Sequence, residues 1–267
     1  ESQRLRENPD SGPAGEWVEA EEMVQAAAHH GCLSVTATWT EPTIFFEYAL
    51  EIARLAHERG IANCWVSNGF MTPEAVDVIA PYLDAINVDL KSFNPETYQK
   101  TIGGRLEGVL ETLTRLHEKG VWLEVATLVV PGMNDSADEL RSIARFLADL
   151  GLDIPWHISG FLPRYKMEDR DRTPVDTIHL AYNIGREEGL RHIYTGKCDD
   201  PKPYSSTLCH KCGALLVERN PAGQPYLNVV HLDSDGMCSS CETRCAGVWQ
   251  SPCGTHNETT ESMDSAD

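Results

Sequence analysis

The sequence predicts an α/β protein, namely a partial (βα)6 TIM-like barrel that lacks its first strand, followed by a small C-terminal zinc ribbon. Two observations lead to this fold class. Strand-like apolar runs alternate with helical segments over residues 16–197, and most helical segments end at a glycine, which is typical of parallel βαβ units. Cysteine pairs with Cys-x2-Cys spacing then follow in the last quarter of the chain, as in zinc ribbons.

The first half of the alternation begins with a helix that has no strand before it. This helix is predicted over EWVEAEEMVQAAAHHG and ends at Gly31, and its predicted buried face consists of Trp17, Val18, Met23 and Val24. Three strands are predicted next, CLSVTAT, IANCWVS and AINVDL. Two helices lie between them, over residues 43–59 and TPEAVDVIAPYL. Thr72 is the predicted N-cap of the second of these helices.

The second half continues the alternation. Three helices are predicted, over residues 107–119, SADELRSIARFLADLG and TPVDTIHLAYNIGREEG. They alternate with three strands, VWLEVATLVV, PWHISGF and RHIYTG. Ser136 and Glu139 predict a capping box for one helix, and Thr173 is the predicted cap of another. Because the leading helix has no strand before it, a first strand is expected upstream of residue 1.

The remaining segments divide the chain into regions. Residues 1–15 are expected to be a loop or disordered remnant. The predicted regions after them are the partial barrel at 16–197, a linker at 198–206, the zinc-ribbon module at 207–248 and a disordered acidic tail at 249–267. The chain begins with Glu rather than Met, so a processed, trimmed or incomplete reading frame is expected.

Composition argues against several classes of partner. The net charge is −19, with 41 acidic and 22 basic residues, and such an acidic field repels nucleic acid. No run approaches the roughly 18 apolar residues of a membrane helix, and the polar first residues do not form a signal peptide. We therefore expect a cytoplasmic protein with no membrane or nucleic-acid partner.

Polar residues recur where the predicted strands end. Glu41 follows the first strand, Asn68 the second, Asp89 and Lys91 the third, and His157 lies in the fifth. Since ligands of such folds bind at the carboxyl ends of the strands, these side chains predict a small-molecule site.

Structural explanations for the same residues remain open at this stage. Asp89 and Lys91 are also compatible with a structural ion pair, and His157 with a hydrogen-bonded core histidine. Glu41 is compatible with a charge that interacts with a helix N-terminus. Polar groups on a concave sheet face cost several kcal/mol when they are dry and unpaired, so each must be paired or must face a wet site.

Five motifs carry a resemblance to a known family: TWTEPTIFFEYA, SNGFMTPEA, PYLDAINVDLKSF, VATLVVPGMND and PWHISGFLPRYKM. On these motifs, residues 16–197 resemble the radical S-adenosylmethionine (SAM) enzymes. The resemblance is to the pyruvate formate-lyase-activating-enzyme-like branch known as the AmmeMemoRadiSam system. It implies a [4Fe–4S] cluster that reductively cleaves S-adenosylmethionine to a 5′-deoxyadenosyl radical. It also implies an external electron donor and a protein or peptide substrate.

The resemblance assigns roles to the polar residues. Glu41 matches the position that binds the methionine amino group, and Asp89 and Lys91 match positions that contact the ribose and the methionine carboxylate. Asn68 and His157 match further cofactor-facing positions. The glycine pair that usually precedes the acidic residue is replaced here by Trp-Thr.

The family's Cys-x3-Cys-x2-Cys cluster loop is absent before residue 198. The cluster ligands are therefore expected upstream of this chain, which alone is expected to be inactive. Cys32 and Cys64 lie in strand patterns and are expected to be small core residues.

The four cysteines Cys209, Cys212, Cys238 and Cys241 form two Cys-x2-Cys pairs that are 25 residues apart. This spacing predicts a four-thiolate zinc site, with an iron–sulfur or empty site as the alternatives. The segment CSSCETRC has the reverse of the family's cluster spacing, and the roles of Cys198, Cys245 and Cys253 stay open.

Two other functions are compatible with the sequence. A cluster-free, aldolase-like lyase would use Lys91 as its nucleophile, although the neighbouring Asp89 would hold that amine charged. An interaction protein would use only the ribbon.

Overall fold

A computed structural model describes residues 16–198, 200, 204–219, 228–233 and 235–249. The first region is a six-stranded sheet in which each strand pairs in parallel with the next along the chain. Its strands are β1 (Ser34–Ala37), β2 (Ala62–Ser67), β3 (Ala85–Asp89), β4 (Trp122–Val129), β5 (Trp156–Gly160) and β6 (Ile193–Gly196). The predicted parallel α/β class is confirmed.

Within the described residues, six helices accompany this sheet. They are α1 (Ala20–His29), α2 (Phe46–Glu58), α3 (Pro73–Ile79), α4 (Leu106–Glu118), α5 (Ala137–Leu150) and α6 (Val175–Glu187). Shorter helical turns occupy Pro42–Phe45, Ala80–Tyr82, Pro95–Thr97, Tyr98–Ile102 and Tyr165–Met167. In the described part of the chain, no helix is long and apolar enough to cross a membrane.

The alternation of side chains along the strands decides which face of the sheet meets the helices. In β3, Ile86 and Val88 are buried in the apolar core, whereas Asn87 and Asp89 lie on the opposite face of the sheet. The helices contribute fully buried residues such as Leu116 to the same core. The polar residues of the strands are therefore collected on one face.

The leading helix differs from its predicted form. It begins only at Ala20, so Trp17 precedes it and is 78% exposed, with its ring against that of Tyr48 at 5.6 Å. Met23 is also exposed, and Val24 is the member of the predicted stripe that is buried. The prediction of a buried Trp17 and Met23 was wrong, because the helix begins after Trp17 and because its buried face holds Ala20 and Val24 while Met23 faces solvent.

Three local predictions also need correction. Cys32 is exposed, outside the core, and Cys64 is half-buried in β2. The N-cap of α6 is the residue after Thr173. The buried Thr173 hydroxyl instead donates to the carbonyl of Val129 at 2.6 Å and accepts the N–H of Phe161.

The capping box is half formed. The Ser136 hydroxyl accepts the N–H of Glu139 at 3.3 Å as predicted. The Glu139 carboxylate does not return to the cap residue and binds the loop after β3 instead.

The second region is a small antiparallel sheet with β7 (Thr207–Leu208), β8 (Leu215–Arg219) and β9 (Asn228–Val230). It packs against the parallel sheet through Tyr194, whose hydroxyl lies 2.8 Å from that of Thr207 and whose ring lies 4.8 Å below the Arg219 guanidinium. The predicted end region 1–15, and the tail beyond residue 249, lie outside the described residues.

Candidate cofactor site

A cavity of about 560 Å³ opens at the carboxyl ends of β1, β2 and β3. Its lining includes Glu41, Asn68, Asp89 and Lys91. The structure therefore brings together four of the five residues that the sequence predicted as cofactor ligands.

Glu41 is fixed by contacts from two loops. It caps the helical turn Pro42–Phe45, and its Oε1 accepts the N–H of Thr43 at 3.3 Å and the Ser67 hydroxyl at 2.7 Å. Its Oε2 accepts the N–H of Asn68 at 2.7 Å. Because a carboxylate oxygen has two lone pairs, Oε2 can still accept a hydrogen bond from a ligand in the cavity.

The turn after β2 depends on a glycine. Gly69 has φ +71°, and a Cβ built there would lie 2.6 Å from Cγ1 of Val88, so a larger residue would be strained and crowded. The Asn68 side chain closes the turn by accepting the N–H of Phe70 at 2.8 Å. This geometry keeps the Asn68 N–H directed at the Glu41 carboxylate.

Asp89 and Lys91 form an ion pair in the cavity wall, with 2.8 Å between Nζ and Oδ2. Both side chains are more than a third exposed, so solvent screens this pair and both groups can exchange partners with a ligand. The N–H of Lys91 donates to the hydroxyl of buried Tyr98 at 3.1 Å. Burial raises the pKa of Tyr98 to about 12, so that phenol stays neutral.

His157 lies on the same face of the sheet as Asp89 but outside this cavity. It is the second residue of β5 and is in register with Ala126, which in turn pairs with Asp89. At about 4.8 Å per strand, His157 lies roughly 10 Å across the sheet from Asp89. Its cofactor-facing role stays a prediction, because it does not line the cavity that holds the other four residues.

The partner of His157 is Glu124, a residue that the sequence reasoning missed. The two side chains are 2.6 Å apart, and they line a second cavity of about 600 Å³ between the sheet and the ribbon. Burial is the largest single influence on the Glu124 carboxyl and raises its pKa, but the hydrogen bond and charge of His157, the Trp122 hydrogen bond and the Arg219 charge together leave the pKa below its usual value. The signal for Glu124 was available as the single acidic residue within the apolar strand VWLEVATLVV.

Comparison with known proteins settles the family. The family model of the radical SAM superfamily matches residues 6–147. The chain belongs to the radical SAM superfamily. It is 38% identical over 212 residues to the uncharacterized protein MJ0808 of Methanocaldococcus jannaschii, covering 79% of this chain and 62% of that one. It is 29% identical over 119 residues to the pyruvate formate-lyase 1-activating enzyme of Escherichia coli K12, covering 44% and 48%.

Solved structures agree with this radical SAM fold. A domain of the pyruvate-formate lyase-activating enzyme from Bacteroides vulgatus superposes with a TM-score of 0.53 at 21% identity, over 61% of this chain and 98% of that one. Streptococcus suis SuiB, bound to S-adenosylmethionine, gives a TM-score of 0.56 at 16% identity, over 70% of this chain and 45% of that one. The chain thus spans about half to three-fifths of the length of the two curated relatives above.

The radical SAM chain also contains a four-cysteine site in its second region. The Sγ atoms of Cys209, Cys212, Cys238 and Cys241 all lie within 4.8 Å of one another. Two of the separations are 3.6 Å and 3.7 Å. Four sulfurs at about 2.3 Å from a tetrahedral zinc would be about 3.8 Å apart, so the geometry fits a metal ion. Hydrogen bonding to Thr243 lowers the pKa of Cys241 to about 6, which favours the thiolate.

Proposed function

We propose that the cavity at the ends of β1, β2 and β3 binds S-adenosylmethionine in a radical SAM enzyme, and that the sheet is the partial (βα)6 barrel expected of such an enzyme. The observation that carries the proposal is the convergence of Glu41, Asn68, Asp89 and Lys91 in one cavity. Its volume of about 560 Å³ falls within the range of small-molecule sites.

Each of these side chains has a role that follows from its chemistry. Glu41 Oε2 accepts a hydrogen bond from the ligand ammonium, since Oε1 is already held by three donors. Lys91 donates to the methionine carboxylate, and Asp89 accepts from the ribose hydroxyls. The ion pair between Asp89 and Lys91 is exposed enough to be exchanged for these contacts.

The iron–sulfur cluster does not fit the residues of this chain in the same way. The chain has no Cys-x3-Cys-x2-Cys spacing, and no cysteine is among the described residues that line the cavity. In the family, cluster and cofactor together supply a 5′-deoxyadenosyl radical by reductive cleavage. We therefore propose that this chain contributes by binding and orienting the cofactor rather than by holding the cluster.

The proposed substrate of the whole protein is a protein or peptide, and an external donor supplies the electron. Support comes from the relationship to the pyruvate formate-lyase 1-activating enzyme, whose name describes action on another enzyme. For the four-cysteine site we propose zinc, because four thiolates at tetrahedral spacing match structural zinc sites.

The two alternative functions gain less support. A lyase would need the Lys91 amine to be free to attack a substrate, whereas this amine is engaged 2.8 Å from the Asp89 carboxylate. A ribbon that acts alone is disfavoured by the contacts of Arg219 and Thr207 with Tyr194 of the sheet.

Titration of the chain with S-adenosylmethionine in a calorimeter tests the cofactor site. Glu41→Ala and Lys91→Ala should each weaken binding about tenfold or more, because each removes a charge-assisted hydrogen bond. Glu47→Ala, which removes an exposed carboxylate of α2, should leave binding unchanged. Absence of binding by the unaltered chain, or equal affinities for all variants, would refute the assignment.

A further inference from the structure

The loop after β3 carries Lys91 and is held from the neighbouring strand connection. We propose that Asn134 and Glu139, which lie between β4 and the first turn of α5, are positioning residues that fix Lys91 at the cofactor cavity. This inference rests on the proposed function of that cavity. Neither residue lines the cavity itself, so both act through the backbone that bears Lys91.

Asn134 joins the ends of β3 and β4. It is fully buried, and its Nδ2 donates to the carbonyl of Lys91 at 2.8 Å and to that of Leu128 at 2.9 Å. Its Oδ1 accepts the N–H of Val130 at 2.7 Å. An amide alone satisfies this set, because aspartate would place an oxygen against two carbonyl oxygens.

Glu139 holds the two residues that follow Lys91. Its Oε1 accepts the hydroxyl of Ser92 at 2.5 Å and the N–H of Phe93 at 2.8 Å. Ser92 is fully buried, and its oxygen also accepts the N–H of Asn94 at 3.1 Å. The carboxylate of Glu139 lies in the first turn of α5, where the helix dipole favours negative charge.

Together these contacts restrain the backbone of Lys91 on every side. Its N–H is held by Tyr98, its carbonyl by Asn134, and the next two residues by Glu139. The lysine side chain is long and more than a third exposed, so the position of its ammonium depends on where the backbone places its stem. A group that binds a ligand must be held close to the geometry that binding requires, and the contacts around it provide that restraint.

The structure provides a matched control in the same helix. Ser136 caps α5 by accepting the N–H of Glu139, and among the described residues its side chain makes no hydrogen bond with the loop after β3. Ser136→Ala and Glu139→Ala should both destabilise α5, but only Glu139→Ala releases the loop. Glu139→Gln keeps an acceptor oxygen at the same position and should restore the contacts.

Two measurements on the full chain test the proposal. Amide hydrogen exchange at Lys91–Phe93 should speed up by about tenfold or more in Glu139→Ala and Asn134→Asp. In Ser136→Ala and Glu139→Gln the exchange rate should stay within about twofold of that of the unaltered chain. Calorimetric affinity for S-adenosylmethionine should fall about fivefold to tenfold in the first two variants only.

The outcomes separate the two proposals. If the unaltered chain binds S-adenosylmethionine, Lys91→Ala weakens binding and Glu139→Ala behaves like Ser136→Ala, then the positioning role is refuted and the cofactor site stands. If the unaltered chain does not bind, the proposed function fails, and the exchange rates still decide whether Glu139 restrains the loop. Exchange rates at Lys91–Phe93 that do not differ between Glu139→Ala and Ser136→Ala would overturn the inference in either case.

Discussion

The core of the parallel sheet and the core of the four-cysteine ribbon contain different kinds of side chain. The sheet region buries aliphatic and aromatic side chains from β2 to β6 and from α2 to α6, whereas β1 contributes only the partly buried Ala37 and α1 packs in a smaller apolar cluster. In the described part of the ribbon, the buried core cluster consists of Cys209, Leu216, Cys238 and Cys245. One leucine and three cysteines bury too little apolar surface to hold a fold. The sheet is thus stabilised by apolar burial, whereas the described part of the ribbon would depend on the metal proposed for its four cysteines.

The largest expected difference between the two regions is their response to metal removal. Purified protein should contain about one equivalent of zinc, and Cys209→Ser should lose it, because three thiolates leave the tetrahedral site incomplete. Binding free energies of roughly 10–16 kcal/mol are typical of structural zinc in small modules, so the ribbon should unfold while the sheet persists. Elemental analysis and limited proteolysis measure the two effects.

Cys32→Ser is the matched control, because Cys32 is an exposed cysteine outside the four-cysteine site. Full metal content in Cys209→Ser would contradict the assignment of the site. Loss of the sheet's circular dichroism on chelation would contradict the independence of the two cores.

The next largest effect is the reverse case, in which the sheet is damaged and the ribbon is spared. Leu116→Ala removes a fully buried side chain of α4 and should cost about 2–5 kcal/mol of unfolding free energy. Urea unfolding measures this loss, and metal content should remain at one equivalent. Leu180→Ala, on the exposed side of α6, should stay within about 0.5 kcal/mol. Equal losses for both variants would show that the core is wrongly assigned.

A smaller effect is expected at the start of α3. The hydroxyl of Thr72 accepts the N–H of Ala75 at 3.2 Å, so Thr72→Ala leaves one helix N–H without its partner. The expected cost is about 1 kcal/mol in urea unfolding, with no change in metal content. Thr72→Ser keeps the acceptor and should recover most of the loss; if it does not, the cap contributes little.

The smallest effect is expected where the two regions meet, and it depends on pH. Glu124 is hydrogen-bonded to Trp122 and His157 of the sheet and lies in the field of the Arg219 charge of the ribbon. The net effect is that the pKa of Glu124 is lowered on folding. A carboxyl with a lowered folded pKa stabilises the protein above its unfolded pKa, near 4.5, and this stabilisation is lost as pH falls through the folded pKa.

The stability difference between the unaltered chain and Glu124→Gln should therefore shrink as urea unfolding is repeated from pH 7 towards pH 3. A difference that is constant over this range would mean that folding leaves the ionisation of Glu124 unchanged.

Sequence reasoning succeeded where the physical signal was local. Strands and helices followed from apolar periodicity and from glycine stops. Glu41, Asn68, Asp89 and Lys91 could be grouped because the carboxyl ends of parallel strands meet at one edge of the sheet. Val88 and Asp89 could be assigned to opposite faces from the period of two alone.

It was less successful where position depends on register or on distant partners. His157 was grouped with the strand ends, but β5 begins at Trp156, so the histidine sits near the start of its strand. Glu139 was predicted to complete its own helix cap, yet a buried serine 47 residues away binds its carboxylate. Neither the register of a strand nor a long-range hydrogen bond can be read from a local pattern.

Tyr204 anchors the chain to the sheet region a few residues before the four-cysteine site. Its carbonyl accepts the N–H of Thr195 in β6 at 2.9 Å, and its ring stacks on Tyr182 of α6 at 3.8 Å. Cys209, the first cysteine of the four-cysteine site, follows only a few residues later, so a module that had lost the proposed metal would stay tethered beside the sheet. Because the four thiolates belong to one chain, once one of them has bound a metal ion the remaining bonds would close intramolecularly at high effective concentration, whereas the first encounter would still depend on the concentration of free metal.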